Sequence, residues 1–88
     1  MYDYEIIPSL QRVLNKLSKK DKKTYGVVMG KIEEILKNPE HYKPLKHDLA
    51  GERRVHIMKS FVLKYEIVES TKTIKFIFFG HHDEAYQR

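Results

Sequence analysis

The chain opens with alternation. Tyr2, Tyr4 and Ile6 fall on one side of an extended strand, Asp3 and Glu5 on the other. Pro8 ends this strand, and Ser9 is the expected N-cap of a short helix. Leu10, Val13, Leu14 and Leu17 then recur at i, i+3, i+4 and i+7, one apolar stripe. Ser18-Lys-Lys-Asp21 reads as a second helix start, with Ser18 as the cap and Asp21 three residues on. Tyr25, Val28, Met29, Ile32, Ile35 and Leu36 carry the helical period to Asn38-Pro39, which stops it. Gly26 and Gly30 lie on that helix, where each costs about 1 kcal/mol against alanine. Close approach to the first helix is the expected reason.

Residues 39–51 read as a loop, with Leu45 and Leu49 pinning it to the core and Lys43, Lys46 and His47 standing out. From Glu52 the period becomes two. Arg53–Met58 and Phe61–Val68 alternate across a tight connection near Lys59-Ser60. A turn at Glu69–Lys72 leads to the last strand. There Ile74, Phe76 and Phe78 point one way and Lys75, Ile77 and Phe79 the other. Both rows are largely apolar, so this is a central strand covered on both faces, ended by Gly80. The order is β-α-α-β-β-β: an α+β fold with a helical hairpin on one face of a largely antiparallel four-stranded sheet, residues 1–88 forming a single domain.

Composition narrows the function classes. Eighty-eight residues bury only about three-fifths of the unfolded surface, so the core is thin. No cysteine is present, which excludes a disulfide framework and a thiolate zinc site and fits a reducing cytosol. No apolar run approaches the ~20 residues of a membrane helix. The polar, acidic start Met1-Tyr-Asp-Tyr-Glu5 does not resemble a signal peptide, so a cytoplasmic protein is expected. Lys plus Arg total 17 against 12 for Asp plus Glu, a formal +5 that suits a polyanion or an acidic protein partner.

With helices over Val55, Ile57, Phe61, Leu63 and Tyr65, the other sheet face carries Arg54, His56, Val62 and Lys64. The segment His81–Tyr86 leaves the sheet's end and can fold over that face. Guanidinium and ammonium groups hold a phosphate and stabilise charge building on it. Imidazole moves protons near neutral pH. The natural reaction is attack of an RNA 2′-hydroxyl on its own 3′-phosphate, with no metal or cofactor required. Arg54 and Lys64 have a structural reading too, as a polar face paired with Glu52 and Glu66. A metal site at His81, His82 and Asp83 is disfavoured, because adjacent histidines point apart.

The element order, Pro44–Gly51, the Arg54-Val-His-Ile57 and Phe61-Val-Leu-Lys-Tyr65 strands and the terminal Phe79-Gly-His-His-Asp-Glu-Ala-Tyr86 together resemble the RelE/ParE toxin superfamily, closest to archaeal-type RelE. The resemblance implies a microbial-ribonuclease-like fold. It also implies an endoribonuclease cutting messenger RNA in the ribosomal A site, neutralised by a RelB-type antitoxin, the pair binding its own operator DNA. Gly80, His81 and Tyr86 fit the family's terminal pattern, while His82 and Val62 stand where arginines are usual. Either histidine and Lys64 substitute, or the toxin is weakened. The implied catalytic set is His82 or Tyr86 for proton transfer, Arg54 and Lys64 for phosphate, and His56 as a second imidazole. Lys43, Lys46, His47, Arg53 and His81 are the implied RNA contacts. Two alternatives are a ParE-like, non-catalytic DNA gyrase inhibitor and a decayed toxin that only holds antitoxin and operator DNA.

Overall fold

The first helix begins at a proline because a helix's first N–H groups have no partner anyway and proline's fixed φ suits that position. Pro8 opens α1 (Pro8–Lys20), with Ile7 as a cap that offers no side-chain hydrogen bond. Ser9 is therefore inside the helix and is not its cap. The computed structural model describes residues 2–42 and 51–85. Leu45 and Leu49 lie outside them.

α2 (Lys22–Lys37) is capped by Asp21, one turn later than the Ser18 expected. The Asp21 carboxylate accepts the Thr24 N–H at 3.1 Å and the Thr24 hydroxyl at 2.7 Å. Those bonds hold its carboxyl below the usual carboxylate range. The Asp21 N–H meanwhile donates to Leu17 O and closes α1, so one residue both ends and starts a helix. Ser18 stays within α1 and turns its hydroxyl back to the Asn15 carbonyl at 2.7 Å.

Gly26 and Gly30 do not meet α1. Both are exposed, and a Cβ at either position would find nothing within 4 Å. With open space and a helical backbone, they only weaken α2. Gly26→Ala and Gly30→Ala should each raise stability by about 0.5–1 kcal/mol, and the pair together should add, as read from urea midpoints. A fall for either would mean that its outer face touches something.

Four strands complete the fold: β1 (Asp3–Ile6), β2 (Glu52–Ile57), β3 (Phe61–Val68) and β4 (Thr73–His81). Their order is β1-β4-β3-β2, with β1 parallel to β4 and the other pairs antiparallel. Met58 belongs to the turn and not to β2. It and Lys59 sit at φ 51° and 65°, left-handed conformations that reverse the chain within three residues. β4 does not stop at Gly80 but runs through it to His81, where α3 (His82–Ala85) begins.

The core fills one side of the sheet. Leu10 and Leu14 of α1 and Val28, Ile32, Ile35 and Leu36 of α2 pack on Val55, Ile57, Leu63, Tyr65, Ile74, Phe76 and Phe79. Val13, at the margin of the α1 stripe, remains 40% exposed. Tyr65 is fully buried, and its hydroxyl donates to Pro39 O at 2.7 Å, tying the end of α2 to the middle of the sheet. Burial pushes the Tyr65 phenol up to about 12.

The alternation expected for β4 fails midway. Lys64 faces Phe78 but Tyr65 faces Phe76, so Ile77 has no residue opposite it: a β-bulge. Beyond the bulge the faces exchange. Phe79, not Phe78, joins Ile74 and Phe76 in the core. Phe78 turns to the far side, and β4 is not evenly covered on both faces.

Candidate functional site

The candidate site lies on the far side of the sheet. Strand pairing sets its side chains in rungs, with opposed Cβ atoms about 5 Å apart. One rung is Glu52–Glu66–Lys75, the next Arg54–Lys64–Phe78, and the third His56–Val62–Gly80. Along the strands the surface therefore passes from mixed charge, through two cations and an aromatic ring, to an imidazole. His82, from α3, completes the last rung. Its ring stacks on His56 with centroids 5.5 Å apart and planes inclined by 20°.

α3 is held where it can do this. The His82 N–H donates to Ser60 O at 2.8 Å, and the Glu84 carboxylate accepts the His81 N–H at 3.1 Å. Gly80 makes room. A Cβ there would lie 2.8 Å from Phe78 Cζ and 3.1 Å from Glu84 Oε1, so the ring and the carboxylate occupy the space a side chain would need. His82 Nδ1 lies 3.8 Å from the Asp83 carboxylate. Ser60, His81, His82 and Asp83 line a shallow pocket of about 210 Å³ at the strand ends.

Arg54 and Lys64 stand directly opposite each other, an arrangement that costs stability unless an anion intervenes. Glu52 is that anion. Its Oε1 lies 3.4 Å from Lys64 Nζ, although without hydrogen-bond geometry. Lys64 is nearly buried, and its ammonium sits 5.7 Å from the centroid of the Phe78 ring, within cation–π range. Arg54 is half-buried and His56 exposed.

Arg54, His56, Lys64 and His82 thus come together. Arg53 does not. Odd and even residues of a strand face opposite ways, and Arg53 shares the helix-side row with Tyr65. Its guanidinium donates to Tyr42 O at 2.6 Å and braces the segment after α2. Arg53 therefore does not share the far face with Arg54. Tyr42 in turn donates to Glu34 at 2.8 Å, which holds the Glu34 carboxyl low. His81 also leaves the far face. Its ring lies 4.7 Å from Phe61 at the rim. Lys43, Lys46, His47 and Tyr86 lie outside the described residues. Phe78 is the one member of the face that sequence reasoning put on the wrong side, because a bulge between apolar residues leaves no polar marker.

The family model described as the ParE toxin of the type II toxin–antitoxin system, parDE, matches residues 4–86. This chain belongs to that toxin family. A Methanocaldococcus jannaschii protein provisionally named toxin RelE4 is 51% identical over 88 residues, all of this chain and 94% of that one. Among solved structures, a YoeB/ParE toxin from Agrobacterium tumefaciens superposes with a TM-score of 0.81 at 18% identity, over 91% of this toxin and 98% of that chain. A chain of the toxin–antitoxin complex RelBE2 from Mycobacterium tuberculosis gives 0.75 at 22% identity, over 92% and 91%. The toxin therefore has the α+β fold of RelE-like toxins and belongs to the RelE/ParE superfamily of type II systems. No helix among its described residues is long and apolar enough to cross a membrane.

Proposed function

We propose that this toxin is a metal-independent endoribonuclease that cuts messenger RNA in the ribosomal A site. The observation that carries the reading is the meeting of Arg54, Lys64, His56 and His82 on one sheet face. Cations there bind the phosphate and stabilise the extra negative charge of the five-coordinate transition state. One imidazole takes the proton from the 2′-hydroxyl as its oxygen bonds to phosphorus. The other gives a proton to the 5′-oxygen as the P–O5′ bond breaks. The products are a 2′,3′-cyclic phosphate and a 5′-hydroxyl. Arg54, whose planar fork matches phosphate, is the primary anchor. Lys64, already neighboured by Glu52, tunes the field beneath it. Tyr86, which follows α3 in sequence, is retained as an alternative proton donor.

Mapping RNA ends in cells after induction tests this. Cuts within codons that bear cyclic phosphates, absent after a His56→Ala and His82→Ala double substitution, are the expected result. Intact RNA alongside DNA damage and supercoiling defects would replace it with a gyrase-directed inhibitor. Normal growth would leave a protein that only binds its antitoxin and operator.

An acidic antitoxin of RelB type is the expected partner in the cytoplasm. The groove between the start of α1 and the bulge of β4, about 180 Å³ and lined by Ser9, Leu10, Val13, Ile77, Phe78 and Phe79, suits an apolar side chain of such a partner. The toxin's +5 charge would speed the encounter more than deepen affinity.

A further inference from the structure

An aromatic ring turned out of a core that has room for aromatics calls for a reason. β4 carries three phenylalanines, and two of them, Phe76 and Phe79, are buried among helix-side residues. Phe78 is half-buried, packs outside that core, and lies in the same rung as Arg54 and Lys64. It is there because of the bulge at Ile77. Without the bulge, Phe78 would share a face with Ile74 and Phe76 and Phe79 would point outward. Bulges beside functional sites commonly re-aim a side chain in this way.

Phe78 also borders the apolar groove beside α1, but the other neighbours of its ring are those of a stacking platform. The ring lies across Gly80, where any side chain would displace it. Lys64 Nζ stands 5.7 Å from its centroid. One rung further along come the stacked imidazoles of His56 and His82. Flat rings set between cations are what proteins offer to single-stranded nucleic acid: the cations track the backbone and the rings take the bases. Every base has a π-face, so the contact needs no particular sequence.

We infer that Phe78 is a nucleobase-stacking residue, which holds the base next to the phosphate bound at Arg54 and so sets the RNA's register on the sheet. This deepens the RNA reading above and rests on it for the identity of the ligand, but it concerns binding and not proton transfer. The substrate class is then unpaired RNA, because a base within a duplex has both faces covered.

The test uses a short RNA with 2′-fluoro sugars, which cannot be cut because the attacking hydroxyl is missing, and 2-aminopurine placed at successive positions. At one position, wild-type binding should quench the fluorescence. Phe78→Leu should lose that quenching and bind roughly ten-fold or more weakly, whereas Phe78→Tyr should keep both. Melting temperatures within a few degrees of wild type would show that the variants fold. Removing the base at the quenched position should weaken wild-type binding by the same factor, yet leave Phe78→Leu binding unchanged, since ring and base form one contact. Wild-type RNA binding without quenching anywhere, Phe78→Leu indistinguishable from wild type, or equal losses in both proteins on base removal would each overturn the assignment. Quenching intact with no cuts in the RNA-end map would remove the catalytic reading and leave Phe78 standing. Cuts without quenching would do the reverse.

Discussion

Arg54→Ala should lower RNA cleavage about 10²- to 10³-fold, the usual consequence of deleting one preorganised group that meets transition-state charge. The melting temperature should fall by no more than a few degrees. Arg54 faces Lys64 across β2 and β3, and two cations in one rung repel. Lys64 keeps Glu52, 3.4 Å away, when Arg54 is removed. Activity and stability should therefore move apart, which a merely structural arginine would not produce. Arg54→Lys should fall between the two, since it keeps the charge and loses the two-pronged geometry. Single-turnover cleavage of a messenger fragment on stalled ribosomes, with calorimetry beside it, reads both quantities. A large fall in melting temperature with Arg54→Ala would assign the side chain to the fold.

The second large effect lies at high pH. Tyr65 is buried beneath the helices, and its hydroxyl donates to Pro39 O. Its phenol is pushed up to about 12 by that burial, against about 10 in the unfolded chain. The folded state thus favours the neutral phenol. The stability this represents is fully present below about pH 10 and is lost as pH rises through about 12, to the extent of about 2–3 kcal/mol. Tyr42, raised in the same direction by burial and by its bond to Glu34, adds to the trend. Urea midpoints should fall steeply across that window. Tyr65→Phe should flatten the decline, at the expense of about 1–3 kcal/mol at neutral pH from the orphaned Pro39 carbonyl. A decline equally steep in Tyr65→Phe would place the titrating group elsewhere.

Most of the architecture was legible because polar residues marked the faces. Arg54, His56 and Lys64 interrupt Val55, Ile57, Leu63 and Tyr65 in strict alternation, so both faces of β2 and β3 could be assigned. β4 offered no such markers. Ile77, Phe78 and Phe79 are all apolar, and nothing in them says where one extra residue sits. The helix starts failed for a related reason. Ser9 and Ser18 have cap chemistry, but Pro8 suits the first helical position and Asp21 caps as well as serine, and which residue wins depends on where the chain must turn. Gly26 and Gly30 suggested close packing, whereas the structure turns them to open space, and proximity cannot be inferred from residue size alone. α3 escaped notice because four residues carry too little periodicity. The bonds that fix it, from His82 to Ser60 and from Glu84 to His81, are products of folding. Even so, the grouping of Arg54, His56, Lys64 and His82 followed from alternation and from the short distance between β4 and α3.

The pairing of the first strand with the last has a consequence for biosynthesis. Among the described residues β1 pairs in the sheet with β4 alone, and two helices and two strands are made between them. The helical hairpin can form early from local contacts, but its apolar stripe has no complete sheet to cover until residues 73–81 have cleared the exit tunnel. Until β4 has emerged the chain is therefore unfinished as a fold, and the far face with its arginine, lysine and paired imidazoles does not yet exist.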